Sequence, residues 1–136
     1  MRFYFLLILL FILLLSCSIK QVPDCSRLKV GKFIYYLKFT DTRYVIERND
    51  SIQTETNQTT DAVSKSKIKW LTPCDYQLIF LSRSPTDTSQ NEIEKKAEAI
   101  PLNTKIIKTA KNYYVFESSK EGISMVLRDT IWYNMR

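Results

Sequence analysis

The clearest pattern in the sequence is the stretch KIKWLTPCDYQLIF, residues 67–80. Before its Thr-Pro break, Ile68 and Trp70 share one face of an alternating strand, and the lysines between them point the other way. The same alternation of apolar and polar residues resumes after the break. Residues 62–71 and 74–82 are therefore predicted to pair as an antiparallel hairpin.

Similar short runs of β-forming residues, separated by turn signals, occupy most of the remaining chain. They cover residues 31–37, 43–48, 51–56, 102–109, 113–118, 123–128 and 130–135. Asn49-Asp50 and Lys111-Asn112 are typical of the turns between such runs. Because most connections are this short, sequential strands are expected to be neighbours in one sheet.

One short helix is predicted between these runs. Ser89 and Glu92 have the spacing of a capping box, and Ile93, Ala97 and Ile100 follow at helical spacing. The sequence thus predicts an all-β, single-domain antiparallel meander of about eight strands, either a small barrel or a curved sheet, with one short helix. A β-sandwich is the alternative architecture.

The amino terminus has the parts of an export signal. Arg2 precedes an apolar run, residues 3–15, which ends at Ser16-Cys17. As a helix this run would span about 20 Å, short of the roughly 30 Å hydrocarbon core of a bilayer, so a spanning anchor is the weaker interpretation. Leu14-x-Ser16-Cys17 resembles the lipobox of bacterial lipoproteins, which implies cleavage before Cys17 and lipid attachment to its sulfur. A plain secretory signal with an incidental cysteine is the alternative.

These features divide the chain into a signal peptide (1–16), a lipidated tether (17–24) and a β-domain (25–136). Several acyl chains on one residue anchor a protein stably, whereas one chain binds reversibly. The residues that follow Cys17 lack the acidic run that resembles a surface-export signal. We therefore expect a lipid-anchored protein of the bacterial cell envelope, at the outer membrane and facing the periplasm.

Cysteine and histidine usage limits the chemistry that the domain can perform. Cys25 and Cys74 are the two cysteines beyond the tether, neither lies in a Cys-x-x-Cys pair, and the sequence has no histidine. A zinc site and histidine-dependent catalysis are not supported, so we expect no catalytic residues, no cofactor and no enzyme. Export favours one Cys25–Cys74 disulfide, with two free buried thiols as the alternative.

The positive charge of the chain is mild and dispersed. Its formal net charge is +6, and many of its lysines alternate with apolar residues, as on the solvated faces of strands. These lysines are Lys65, Lys67, Lys69, Lys95, Lys96, Lys105, Lys108 and Lys111. We expect a solvated surface and no nucleic-acid partner.

Four strings of the sequence resemble a family of small bacterial lipoproteins: C-x₅-GKF (25–33), ERNDSIQTE (47–55), KWLTPCDYQL (69–78) and RDTIW (128–132). Members of that family are sometimes labelled topoisomerase IV, a label that this chain contradicts because it has neither an ATP-binding element nor room for a strand-passage domain. The resemblance implies no activity. It supports the pairing of the two domain cysteines, because both lie within the resembling strings.

A second resemblance, at the level of the fold, is to lipocalin-like barrels, through the Gly-x-Phe at residues 31–33 and the meander. Several aromatic side chains could line an apolar pocket or fill a solid core, and the core is favoured for a domain of this size. They are Phe33, Tyr35, Trp70, Tyr76, Phe80, Tyr113 and Trp132. The leading hypothesis is a non-enzymatic, membrane-anchored protein that binds an envelope protein or polymer. A lipocalin-like carrier of a small apolar ligand is the alternative.

Overall fold

The computed structural model describes residues 23–85 and 91–133. Within these ranges the chain forms eight antiparallel strands that close into a barrel. In chain order they are β1 (Gly31–Leu37), β2 (Thr42–Arg48), β3 (Ile52–Asn57), β4 (Val63–Trp70), β5 (Asp75–Ser84), β6 (Leu102–Thr109), β7 (Tyr113–Lys120) and β8 (Val126–Tyr133). A short 3₁₀ helix, Ser26–Leu28, precedes β1, and helix α1, Glu92–Ala99, connects β5 to β6. The predicted all-β meander with one short helix is confirmed.

Each strand pairs with its sequence neighbour, and β1 pairs with β8 to complete the circle. In the predicted hairpin, Ile68 lies opposite Leu78 and Trp70 lies opposite Tyr76. The β1–β8 pairing that closes the barrel begins with Phe33 opposite Tyr133 and continues over the next two residues of β1. Because the sheet closes on itself, the β-sandwich alternative is wrong.

The last part of the chain differs from its predicted organisation. Residues 123–128 and 130–135 were expected to be two strands, but Val126–Tyr133 is one continuous strand and residues 121–125 are its preceding loop. Asp129 does not form a turn because it lies in register opposite Phe116 in the middle of the β7–β8 ladder. Residues 134 and 135 lie outside the described ranges.

The predicted helix exists, but its cap is a different pair of residues. Asn91 is the N-cap: its side chain accepts hydrogen bonds from the backbone N–H groups of Ile93 and Glu94. The Glu94 side chain in turn accepts from the Asn91 backbone N–H, which completes a capping box. The predicted box of Ser89 with Glu92 is therefore wrong, since Glu92 is the first residue of the helix. Ser89 itself lies outside the described residues.

The two ends of the barrel differ, and we name them by the loops they carry. The closed end carries the 3₁₀ helix and the turns at 49–51, 71–74 and 110–112, whereas the open end carries α1 and the loops at 38–41, 58–62 and 121–125. At the closed end Leu28 is 1 % exposed and Cys25 is 2 % exposed. The 3₁₀ helix therefore closes this end of the barrel, and its buried residues belong to the main apolar core.

A disulfide joins Cys25 to Cys74, with their Cα atoms 5.4 Å apart. The predicted pairing is confirmed, and it fastens the 3₁₀ helix to the β4–β5 turn. Cross-linking residues 49 positions apart stabilises a fold by about 4 kcal/mol on the chain-entropy model.

In the part of the chain that the structure describes, none of the helices has the length and apolar character needed to span a bilayer.

Candidate functional site

The interior of the barrel contains a buried arginine on the inward face of β2. Arg48 is 4 % exposed, and its guanidinium donates to the hydroxyls of Tyr76 and Tyr114 at 2.8 Å each. It also donates to the backbone carbonyl of Leu28 at 3.1 Å and to Oε1 of Gln53 at 2.6 Å. A buried cation requires such partners, because an unpaired one would cost several kcal/mol.

Aromatic rings surround the same guanidinium. Its carbon lies 4.8 Å from the ring centroids of Phe33 and Tyr76, within range of cation–π attraction. Burial opposes the charge on Arg48, but the oxygens of Tyr114 and Tyr76 more than offset it and raise the pKa of Arg48. Burial likewise raises the pKa of Tyr114 well above its usual value. Arg48 therefore stays a cation, and the Tyr114 hydroxyl beside it stays protonated.

A hydrogen-bonded relay runs from this cation toward the open end. Gln53 accepts from Arg48 through its side-chain oxygen and donates through Nε2 to Oε1 of Glu55 at 2.6 Å. Gln53 is 2 % exposed, and Arg48 can only donate, so the orientation of the amide is fixed. The relay holds the Glu55 carboxylate in one position on the inner wall.

Glu55 begins a row of polar side chains across three strands. It lies opposite Ser64 of β4, and Ser64 lies opposite Arg83 of β5. Neighbouring strands are about 4.8 Å apart, so the Cα atoms of Glu55 and Arg83 are about 10 Å apart. A carboxylate, a hydroxyl and a guanidinium thus lie side by side on one wall.

A β-bulge gives Arg83 its inward direction. The β4–β5 register shifts so that Lys65 lies opposite Ser82 while Ser66 lies opposite Phe80, which leaves Leu81 as the extra residue. If Leu81 continued the regular alternation from the inward Phe80, Arg83 would face outward. Bulges commonly re-aim a side chain near a functional site.

Helix α1 lies across the open end, held by two polar contacts. Arg83 Nη2 lies 2.7 Å from Oε1 of Glu98, and Lys120 Nζ donates to the Ala97 backbone carbonyl at 2.6 Å. No residue of the helix is buried. The helix therefore covers part of the opening without closing it.

Two adjoining cavities occupy the open end, with volumes of about 240 and 330 Å³. Both are lined by Glu55, Ser64 and Arg83. The first extends under α1 to Phe80 and Leu102, and the second extends to Tyr44 and Asn57. This pair of cavities is named the open-end site below, and its wall combines charged, amide, hydroxyl and aromatic groups.

A tyrosine and a carboxylate lie further along the inner wall. The Tyr35 hydroxyl donates to Asp129 at 3.3 Å, and the Tyr35 and Tyr44 ring centroids are 6.2 Å apart. Partial burial, together with the negative charges of Asp129 and Glu55, raises the pKa of Tyr35 to about 12. The carboxylates of Asp129 and Glu55 thus both act on the Tyr35 hydroxyl.

A third space of about 480 Å³ lies on the outer wall over β5 to β8. Its lining includes Asp75, Lys105 and Glu117, which are in register on adjacent strands. Neither a buried hydrogen-bonded relay like that of Gln53 nor a bulge like that at Leu81 positions these three side chains. The open-end site is the better candidate because the fold directs charged groups into it.

The seven aromatic residues suggested for an apolar pocket do not form one cluster. Phe33 and Tyr76 are buried around Arg48, and Trp70 packs on Tyr76 with ring centroids 4.8 Å apart. Phe80 lines the open-end site, and Tyr35 lies on the inner wall described above. Tyr113 and Trp132 lie opposite each other in register. Both alternate with the buried Tyr114 and Tyr133, so they pack together on the outer face, 5.1 Å between centroids.

The other predicted sites fall into three groups. The predicted lipid site, Cys17, and the predicted signal peptide lie outside the described residues. The lysines expected on solvated faces are all exposed. Among the described residues no group of three or more histidine, cysteine, aspartate or glutamate side chains could hold a metal ion.

Sequence reasoning missed the polar interior. The alternation of Gln53, Glu55 and Asn57 in β3 does place three polar residues on one face, which is the one signal that could have revealed them. The inward direction of Arg83 has no such signal, since it depends on the bulge at Leu81.

Comparisons with protein-family models, with curated proteins and with solved structures found no match for this chain. The function proposed below accordingly rests on the sequence and on the geometry of the open-end site.

Proposed function

We propose that the chain is a lipid-anchored, non-enzymatic protein of the bacterial cell envelope that binds an envelope protein or polymer through the open end of its barrel. The observation that carries the proposal is that the two ends of the barrel have different roles. The chain enters the barrel at the closed end, through Cys25, and the cavities lie at the opposite end.

This arrangement suits a protein tethered by its amino terminus. If Cys17 carries lipid, residues 17–24 can span at most about 28 Å between the membrane and the closed end. The open-end site then faces away from the anchoring membrane. We propose an outer-membrane anchor, with the barrel in the periplasm.

The rim of the open end adds a second supporting observation. Most of the large apolar side chains that are exposed in the described residues lie around it: Phe39, Leu81, Ile93, Ile123, Met125, Val126 and Leu127. Phe39 is 95 % exposed and Ile93 is 78 % exposed. Exposed apolar side chains concentrated at one end of a domain are typical of binding sites for other molecules. The rim and the polar cavities together favour a macromolecular partner at this end.

The alternative of a carrier for a small apolar ligand fits the cavities less well. Their volumes are sufficient for a small ligand, but a purely apolar molecule would leave Glu55 and Arg83 against hydrocarbon. The second oxygen of Glu55 and the N–H donors of Arg83 that Glu98 does not use would then lack a partner, which costs free energy. The composition of the lining therefore supports a polar ligand group.

Binding rather than catalysis is proposed because the site lacks an activated nucleophile. Ser64 is the hydroxyl nearest to both charged groups in register. An activated serine needs a base within hydrogen-bond distance. Throughout residues 23–85 and 91–133, no hydrogen bond to the Ser64 hydroxyl is formed.

Photocrosslinking in living cells tests this proposal. A photoreactive residue is placed at Phe39 or at Met125 on the open end, and at Val30 on the closed end as the matched exposed control. We expect the same adduct from both open-end positions and none from Val30. Adducts from Val30 alone, or no adduct at any position, would contradict the proposal.

A further inference from the structure

We infer that the open-end site holds a ligand that carries both an ammonium and a carboxylate group, of the class of short peptides with free ends. This inference rests on the proposed function and names the ligand chemistry of the same site. Its basis is the row Glu55, Ser64 and Arg83, which lines both cavities.

Glu55 supplies the negative pole. Its one hydrogen bond within the described residues comes from Gln53, and none of the ion pairs there includes it. Because Gln53 occupies Oε1, the second oxygen of the carboxylate remains available to a ligand. An ammonium group donates three hydrogen bonds and is the natural partner for such an oxygen.

Arg83 supplies the positive pole. One of its terminal nitrogens bonds to Glu98, but a guanidinium has five N–H donors in a planar fork. The remaining donors can bind a carboxylate, a group for which arginine is particularly suited. The bulge at Leu81 directs the Arg83 side chain into the cavity. The backbone therefore sets the direction of this charge.

The separation of the poles sets the size of the ligand. The strands that carry Glu55 and Arg83 lie two inter-strand spacings apart, about 10 Å. Because both side chains reach into the cavities, this spacing is an upper limit on the span between the two charged groups of the ligand. An extended peptide advances about 3.4 Å per residue, so a dipeptide or a tripeptide stays within this limit. Ser64, between the poles, can hydrogen-bond the peptide backbone.

The charge of the ligand follows from the presence of both poles in each cavity. A simple anion attracted to Arg83 would meet Glu55, and a simple cation attracted to Glu55 would meet Arg83. A zwitterion bonds to the second oxygen of Glu55 and to the N–H donors of Arg83 that Glu98 does not use, so each of its charges meets an opposite one. Glu98 and Lys120 also line the first cavity, which therefore keeps groups of both signs. A lysine beside a free carboxyl terminus presents the same two groups, so a protein or a peptide-bearing polymer meets this requirement at such a chain end.

The test uses trialanine as the probe and the full chain purified in detergent, with calorimetry as the readout. We expect trialanine to bind. N-acetyl-trialanine, which lacks the ammonium, and trialanine amide, which lacks the carboxylate, should each bind about tenfold more weakly, a loss of about 1.4 kcal/mol. These comparisons use the unaltered protein, so they do not depend on the folding of a variant.

Substitutions then assign each pole. Glu55→Gln should abolish the difference between trialanine and its acetylated form, and Arg83→Met should abolish the difference between trialanine and its amide. Glu98→Gln is the matched control for Arg83→Met, because it breaks the same ion pair but keeps the guanidinium, and it should retain discrimination of the carboxylate. Lys67→Met, on the outer wall, should change neither difference.

Two results would overturn the inference: absence of trialanine binding, or equal binding of trialanine and its doubly blocked form. Either result together with open-end crosslinks would remove this ligand class and leave the proposed function in place. Discriminating trialanine binding without crosslinks would support the ligand class and contradict the macromolecular partner.

Discussion

A single side-chain amide, that of Gln53, separates the guanidinium of Arg48 from the carboxylate of Glu55. The cation is buried in the closed half of the barrel, whereas the anion lies on the wall of the open-end site. The charge that stabilises the core and the charge available to a ligand are therefore coupled through one residue. Stability and binding can be tested separately at the two ends of this relay.

Replacing the buried arginine should unfold the barrel more easily. Arg48→Met leaves the hydroxyls of Tyr76 and Tyr114 and the Gln53 oxygen without their cationic donor, so we expect a loss of about 3 kcal/mol in the free energy of unfolding. Urea unfolding followed by fluorescence measures it. Lys32→Met, which breaks an exposed pair with Glu47, should change it by less than about 1 kcal/mol. Equal effects of the two substitutions would contradict the role assigned to Arg48.

The disulfide should contribute a large share of the stability. Cys25→Ser and Cys74→Ser should each lower the free energy of unfolding by about 4 kcal/mol. The double variant should match either single one, because all three lose the same crosslink. Guanidinium unfolding with and without reductant measures the effect, and only the unaltered protein should respond to the reductant. A response in the single variants would point to other crosslinks.

High pH should weaken the fold through Tyr35. Its pKa is raised to about 12 in the folded chain, compared with about 10 in the unfolded chain. The folded state holds this proton more tightly, so the contribution to stability is complete below pH 10 and is lost as the pH rises toward 12. Tyrosinate absorbance follows the titration. Asp129→Asn should lower the pKa, and Tyr35→Phe should remove that step; an unchanged profile in both would refute the assignment.

The ion pair between Arg83 and Glu98 should hold helix α1 on the open end of the barrel. Arg83→Met removes the guanidinium, so α1 loses this contact with the barrel wall. We expect faster proteolytic cleavage within residues 91–100 in limited digestion. Leu81→Ala, at the exposed bulge of the same strand, keeps the ion pair and should be cleaved at the normal rate. Equal rates for the two variants would show that the ion pair does not hold the helix.

Membrane attachment should depend on Cys17. Cys17→Ala removes the proposed lipid site, and we expect the protein to leave the membrane fraction. Cys25→Ala, which keeps that site, should remain in the membrane fraction. Unchanged fractionation of Cys17→Ala would indicate a different anchor.

The strand order and the disulfide were predictable because they follow from local patterns. The Thr-Pro break at residues 72–73 separates β4 from β5, and it places Cys74 at the end of the barrel that the segment before β1 reaches. Alternation does not identify the inward face of a strand where both faces carry apolar or aromatic residues. Tyr113 and Tyr114 are equally plausible interior residues by sequence, and only closure of the sheet assigns Tyr114 to the core.

The polar interior was unpredictable for a different reason. Arg48 is buried because three strands and the 3₁₀ helix together supply its acceptors, and no short window of sequence contains them. Arg83 depends on one extra residue in β5, which shifts the register without leaving a mark in composition.

Closure of the barrel between β1 and β8 also bears on how copies of the chain coexist. A sheet with free edges exposes unpaired backbone N–H and C=O groups that can recruit a strand from another molecule. Here each of the eight described strands has two partners, so the barrel leaves no strand with a wholly unpaired edge. The β1–β8 seam rests on the register pairs of Phe33, Ile34 and Tyr35 alone. Separation of that seam is therefore the shortest route to an aggregation-competent form.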